Sequence, residues 1–170
     1  MLGVQPAKLR GRSQRGATLV EAALVFLPFM AMMLAIVDFS MPIFLRSTFT
    51  HAVREGVRFG ITHQTTYNSV SYSTQTAAIQ AVVQANAMGF LAGSSGLSLI
   101  QVNYYAASSP FGQVTGTGAN AGGNIVEVAI SGYNWGWIVP IWRTNTPLAV
   151  GGISSDRLEP MAAGTSLPAP

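Results

Sequence analysis

Six carboxylates and two imidazoles are the groups from which this chain could assemble acid–base or metal chemistry, and its spacing scatters them. So few acids in 170 residues disfavour a paired-carboxylate site of the kind glycoside hydrolysis needs. His51 and His63 stand twelve residues apart, and His51 falls in a helix-patterned stretch, so they make a poor pair of metal ligands. Without cysteine there is neither a disulfide framework nor a thiolate site. No Gly-x-Ser-x-Gly elbow exists. Gly116-Thr-Gly118-Ala-Asn-Ala121 formally fits the relaxed dinucleotide-binding pattern. It lacks a clear strand before it, a helix after it and an acid about 20 residues further on, so it reads as a flexible loop. These residues predict a protein that is not an enzyme, with no metal, cofactor or small-molecule substrate.

The carboxylates gain a different meaning from the elements around them. Only 9% of residues are charged while 49% are hydrophobic, which favours a membrane-linked chain over an ordinary soluble domain. The basic excess is local: Lys8, Arg10, Arg12 and Arg15 precede any acid, and from Ala17 onward five arginines face six acids. The body therefore has no cationic surplus for a phosphate backbone, and nucleic acid is disfavoured as a partner.

Between Glu21 and Asp38 lie sixteen residues without a charged or polar side chain. As a helix this run covers about 24 Å, slightly short of a ~30 Å hydrocarbon core, and Ala17–Val20 and Phe39–Leu45 can extend it. The basic leader before the run and Asp38 after it predict a cytoplasmic N-terminus and an extracytoplasmic body. The length of the run and the absence of an Ala-x-Ala break behind it disfavour a cleaved secretory signal. Pro28 lies inside the span, where membrane helices tolerate it. Beyond it, Leu45, Phe49, Ala52, Val53, Gly56 and Val57 recur at three- and four-residue spacing and predict an amphipathic stalk, bent near Pro42. Arg46, Thr50, Arg54 and Arg58 line another face. Two readings stay open for this row: a solvated face, or contact with partner subunits or lipid head groups.

Glu21 is costly if it sits deep in the bilayer, by roughly 2.5 kcal/mol or more, and it could instead snorkel at the interface. The segment Arg15-Gly16-Ala17-Thr18-Leu19-Val20-Glu21 resembles a prepilin processing site. The resemblance implies cleavage by a membrane peptidase between Gly16 and Ala17, leaving Glu21 fifth in the mature chain. A neighbouring subunit's carboxylate could then neutralise the new ammonium at Ala17 in low dielectric. Together with Ile36-Val-Asp38-Phe39 and Ala52-Val-Arg-Glu-Gly-Val-Arg-Phe59, the segment resembles the TadE-like family of pseudopilin-like proteins of the tight-adherence (Flp) pilus. Ala22 departs from it, standing where Phe or Tyr usually follows the glutamate. The likeness extends to Val126-x-Val128-x-Ile130-x-x-Tyr133, Trp137-Ile-Val-Pro140 and the run from Gly152 to Pro160.

The remaining body predicts a Ser/Thr/Asn-rich loop over 63–76, a helix over 77–89, strands over 97–105 and 124–133, and a Gly-rich connection over 110–124. Val126, Val128 and Ile130 fall on one face of the second strand. Trp135, Trp137 and Trp142 lie within eight residues, where they could cap a small sheet, rest at the membrane interface or contact a partner. The expected architecture is α+β and pilin-like: a long N-terminal transmembrane and stalk helix, then a small antiparallel sheet with one further helix. Its divisions are a cytoplasmic leader (1–16), a transmembrane helix (17–45), the stalk (46–61), an extracytoplasmic domain (62–164) and a frayed C-terminus (165–170). The resemblance implies a structural component of pilus assembly in the bacterial inner membrane. Membrane lipid, prepilin peptidase, other pilins and assembly-platform proteins would be its partners. The alternative is a membrane-anchored periplasmic binding module that never enters a filament.

Overall fold

The structure is a computed structural model that describes residues 14–139, 146–162 and 165–170. One helix, α1 (Gln14–Gly60), runs without interruption through Pro28 and Pro42. Its two halves have opposite surroundings. Across the apolar half, the most hydrophobic 18-residue window has a mean hydropathy of 2.3, and none of it is buried inside the chain. Leu24 and Leu27 remain 72% and 73% exposed. From Leu45 on, the predicted stripe is the core: Leu45, Phe49, Ala52 and Val53 have no exposed surface and Val57 has 3%.

Two layers cover that stripe. On one side α2 (Gln75–Asn86) lays Ile79 and Val83 against α1. Thr74 caps α2 by accepting the Ala77 N–H at 3.1 Å. Gly56 and Gly60, one helical turn apart, leave the room: a Cβ at Gly56 would collide with Val83 Cγ2, and one at Gly60 would lie 2.8 Å from Ile79 Cδ1. On the other side is an antiparallel sheet made of β3 (Ile100–Tyr105), β4 (Gln113–Val114), β5 (Ile125–Trp135) and β6 (Leu148–Arg157), in the order β4-β3-β5-β6. Val126, Val128 and Ile130 of β5 point into the core as their alternation requires. The expected α+β class, long helix and small antiparallel sheet are all present.

Several elements differ from the sequence reading. The 63–76 segment holds a small hairpin, β1 (Thr66–Tyr67) and β2 (Val70–Ser71), turned by Asn68 and Ser69 at φ 47° and 64°. Phe59 and Tyr67, 6.0 Å apart edge to face, dock it on α1. Residues 97–99 are not strand. A short α3 (Gly93–Leu97) precedes β3, so two helices follow α1 rather than one. The Gly116–Ala121 loop is not loose either: Asn120 is fully buried and donates to Gln75 Oε1 at 2.6 Å and to the Pro168 carbonyl at 3.0 Å. Gln75 in turn donates to the Gly60 carbonyl at 2.6 Å, and its own backbone N–H donates to Ala169 at 2.8 Å. The tail that was expected to fray is therefore tied down, because its carbonyls satisfy donors that α2 and the loop would otherwise bury unpaired. Tyr104, 5% exposed, closes this region, and burial pushes its phenol above the usual value while the Thr76 hydroxyl at 3.3 Å opposes the shift.

β6 runs beside the second half of α1, starting with Leu148 near Pro42 and continuing toward the helix C-terminus. Gly152 lies against Phe49 and Thr50, where an added Cβ would sit 3.0 Å from their backbone atoms, and Glu159 N–H donates to the Ile61 carbonyl at 3.1 Å. β5 runs the opposite way. A bulge between Ile130 and Tyr133, with Gly132 at φ 80° and Ser131 N–H on the Leu99 carbonyl, re-aims its end.

Candidate functional site

The end of β5 arrives where α1 leaves its apolar stretch. Asp38 is fully buried there, although it belongs to a helix whose neighbours Val37 and Phe39 are exposed. Its Oδ1 accepts the Ile138 N–H at 2.9 Å and its Oδ2 accepts the Val139 N–H at 3.1 Å. Both carboxylate oxygens thus hold one dipeptide of the tryptophan-rich loop by charge-assisted bonds. Phe39 adds an edge-to-face contact with Trp137, ring centroids 5.2 Å apart. Asp38 was read from the sequence only as the charge that closes the span. A buried acid directly after an apolar run was the available signal, but nothing local names its partners a hundred residues away.

Trp135 is partly buried and packs against the core, with its indole N–H unpaired; Trp142 and Pro140 lie outside the described residues. Of the two tryptophans among the described residues, Trp137 is the one placed on the helix exit. Beside it, Phe39, Pro42, Ile43, Leu148 and Ala149 line a groove of about 430 Å³ that Arg46 closes on its far side. Arg46, Arg54 and Arg58 are all exposed along α1, and Arg46 also borders the hollow shared with Thr50, His51 and Arg54.

At the other end of the apolar half, α1 passes continuously through Gly16 and Ala17, and Glu21 is exposed with no partner among the described residues. Pro28 sits within the exposed stretch. Lys8, Arg10 and Arg12 lie outside the described residues, as does the side chain of Arg15. Elsewhere, His63 Nε2 bonds the Glu159 carbonyl at 2.8 Å, which makes it a strut between stalk and C-terminal segment. No group of three or more potential metal-binding side chains occurs among the described residues.

The parts that stand out are therefore an exposed apolar helix, its carboxylate near the start and its latched exit. The helix, Glu21 and Asp38 fall within one stretch of sequence. Residues 16–58 match the TadE-like protein family. The match agrees with the resemblance carried by Gly16–Val25, Ile36–Phe39 and Ala52–Phe59. It ends within the stalk, so the likeness drawn from residues 126–160 lies beyond it. No curated protein and no solved structure matches the chain significantly. The helix is long and apolar enough to cross a membrane.

Proposed function

We propose that this chain is a minor pilin or pseudopilin-like component of Tad (Flp) pilus assembly, acting through helix packing and subunit contacts. One observation carries the reading: the first half of α1 is apolar around its circumference, free of the domain, and bears a single carboxylate, Glu21, near its start, with no partner among the described residues. A helix that is apolar all round needs lipid or other helices about it. Glu21 in such surroundings needs a cation. Cleavage between Gly16 and Ala17 would supply one as the new N-terminal ammonium of a neighbouring subunit, setting the register of helix against helix. The leader would face the cytoplasm and the sheet domain the periplasm, following the positive-inside rule. Prepilin peptidase, other pilins and the assembly platform are the partners this implies.

The test is the intact mass of membrane-extracted protein from cells with and without the prepilin peptidase. A species beginning at Ala17 only in the presence of the peptidase supports the reading. A chain beginning at Met1 in both strains overturns the processed pseudopilin and leaves an anchored periplasmic module.

A further inference from the structure

The groove between α1 and the start of β6 combines three properties that seldom occur together on a soluble surface. Its walls are apolar, from Phe39, Pro42, Ile43, Leu148 and Ala149, while its far rim carries the Arg46 guanidinium, and no carboxylate lines it among the described residues. It is continuous with the apolar span, since Phe39 and Ile43 are 52% and 70% exposed at the same level as Ile138 at 58%. Its inner end is fixed, because Asp38 clamps Ile138 and Val139, and Trp137 packs edge to face on Phe39.

We infer that this groove seats a phospholipid of the leaflet through which α1 emerges, with an acyl chain along the apolar walls and an anionic head group on Arg46. The inference rests on the membrane anchoring of α1 but not on its processing or on filament entry. Arg46 is eight residues beyond Asp38, about 12 Å along the helix axis. The polar layer of a bilayer is roughly 5–8 Å deep on each side, so the guanidinium must reach back to meet phosphates. Helix geometry favours this: Cα–Cβ bonds tilt toward the N-terminus, here the membrane, and long arginine side chains snorkel. Trp137, with an apolar body and a polar N–H, suits the same layer.

A second copy is the weaker occupant. The apolar run of a neighbour could offer Arg46 an acid only from Glu21 at its far end, because the sixteen residues between Glu21 and Asp38 carry none and Asp38 is already buried in its own latch. Arg54 and Arg58 lie a further 12 and 18 Å up the axis by the same rise, about two and three helical turns above Arg46, and are too distant to share the head group.

The test uses the full-length chain with Trp135→Phe and Trp142→Phe, leaving Trp137 as the one indole. It is reconstituted in phosphatidylcholine vesicles with or without phosphatidylglycerol. Flotation reports anchoring; quenching of Trp137 by lipids brominated at shallow or deep acyl positions reports depth. Native mass spectrometry from lipid nanodiscs reports retained lipid. The expected result is flotation in both compositions, stronger shallow than deep quenching, and a retained phosphatidylglycerol that Arg46→Gln abolishes while Arg58→Gln does not. Flotation with neither quenching nor a retained anionic lipid overturns the lipid site and leaves the anchor standing. Shielding of Trp137 that grows with protein density instead of lipid charge also overturns it, in favour of a second copy. Failure to float overturns the anchoring itself.

Discussion

Replacing Asp38 should release the tryptophan-rich loop without unfolding the domain. The carboxylate accepts two backbone N–H groups at 2.9 and 3.1 Å and has no exposed surface. Hydrogen bonds to a charged group contribute about 1.5–3 kcal/mol each, and an orphaned buried donor costs about 1–3 kcal/mol. No cation is among its partners in the described residues, so the carboxylate's own desolvation offsets part of that gain. Asp38→Asn keeps one acceptor, turns its amide N–H₂ toward the other donor, and relieves the buried charge; a net loss of about 1.5 kcal/mol follows. Asp38→Ala orphans both donors and should lose about 3 kcal/mol. Both values are below the roughly 5–15 kcal/mol that holds a domain together, so the opening stays local.

Amide hydrogen exchange reads this directly. At tenfold per ~1.4 kcal/mol, Ile138 and Val139 should exchange about tenfold faster in Asp38→Asn and about a hundredfold faster in Asp38→Ala. Val126 and Val128, in the middle of the sheet, should keep their protection. Unchanged exchange at Ile138 and Val139 would refute the latch. Equal acceleration at Val128 would show that Asp38 supports the whole fold rather than the loop.

The remaining predictions concern how the sheet and tail are held on the stalk. Gly152→Ala places a Cβ 3.0 Å from backbone atoms of Phe49 and Thr50, which cannot rotate away, so β6 must lift. A loss of about 1–3 kcal/mol is expected, seen as a lowered denaturation midpoint; an unchanged midpoint would refute the close approach. Deleting residues 165–170 removes the acceptors at Ala169 and Pro168 and exposes Gln75 and Asn120. The midpoint should fall by the equivalent of about 2–3 kcal/mol, and a truncated chain as stable as the full one would show that the tail is passive. Burial raises the Tyr104 phenol above its ordinary value of 10.0, so the folded state holds the proton more tightly than the unfolded one. Its contribution is fully present below pH 10 and is lost as pH rises through the raised folded value. Alkaline unfolding curves should show that loss, and Tyr104→Phe should remove its share.

How much of this could be read in the sequence depended on the range of the interaction. The stalk's core face was legible because Leu45, Phe49, Ala52, Val53 and Val57 keep helical spacing and all end up buried. β5 was legible from strict alternation at Val126, Val128 and Ile130. The hairpin at Thr66–Ser71 was hidden because two-residue strands carry no periodicity, and only Asn68 and Ser69 hint at its left-handed turn. β6 was hidden by Gly151 and Gly152, which are poor strand formers but are required where Ile130 and α1 approach closely. At the candidate site, Glu21 and Gly16 could be picked out because a leader and an apolar run bracket them. The bonds from Asp38 to Ile138 and Val139 span a hundred residues and recruit backbone donors, which leave no trace in side-chain pattern.

The contrast between the two acids that bound the apolar run carries the functional argument furthest. Both Glu21 and Asp38 adjoin lipid-like surroundings, where an uncompensated carboxylate costs several kcal/mol. The chain answers that cost at Asp38 itself, bringing β5 around a bulge to present two N–H groups. At Glu21 it makes no such provision among the described residues, and the helix around it touches nothing in the domain. On the proposed function, the partner of Glu21 comes from a neighbouring subunit. The residue that would be freed by cleavage, Ala17, lies one helical turn before Glu21, so the same short segment holds both an anion and the source of a cation. Within one chain they adjoin, but a staggered neighbour can offer its cation to the next chain's anion, and repeating that offset builds a filament. If Glu21→Gln were processed normally and still assembled with wild-type efficiency, as counted by filaments on cells, the pairing would be wrong. The exposed helix would then be explained by lipid alone.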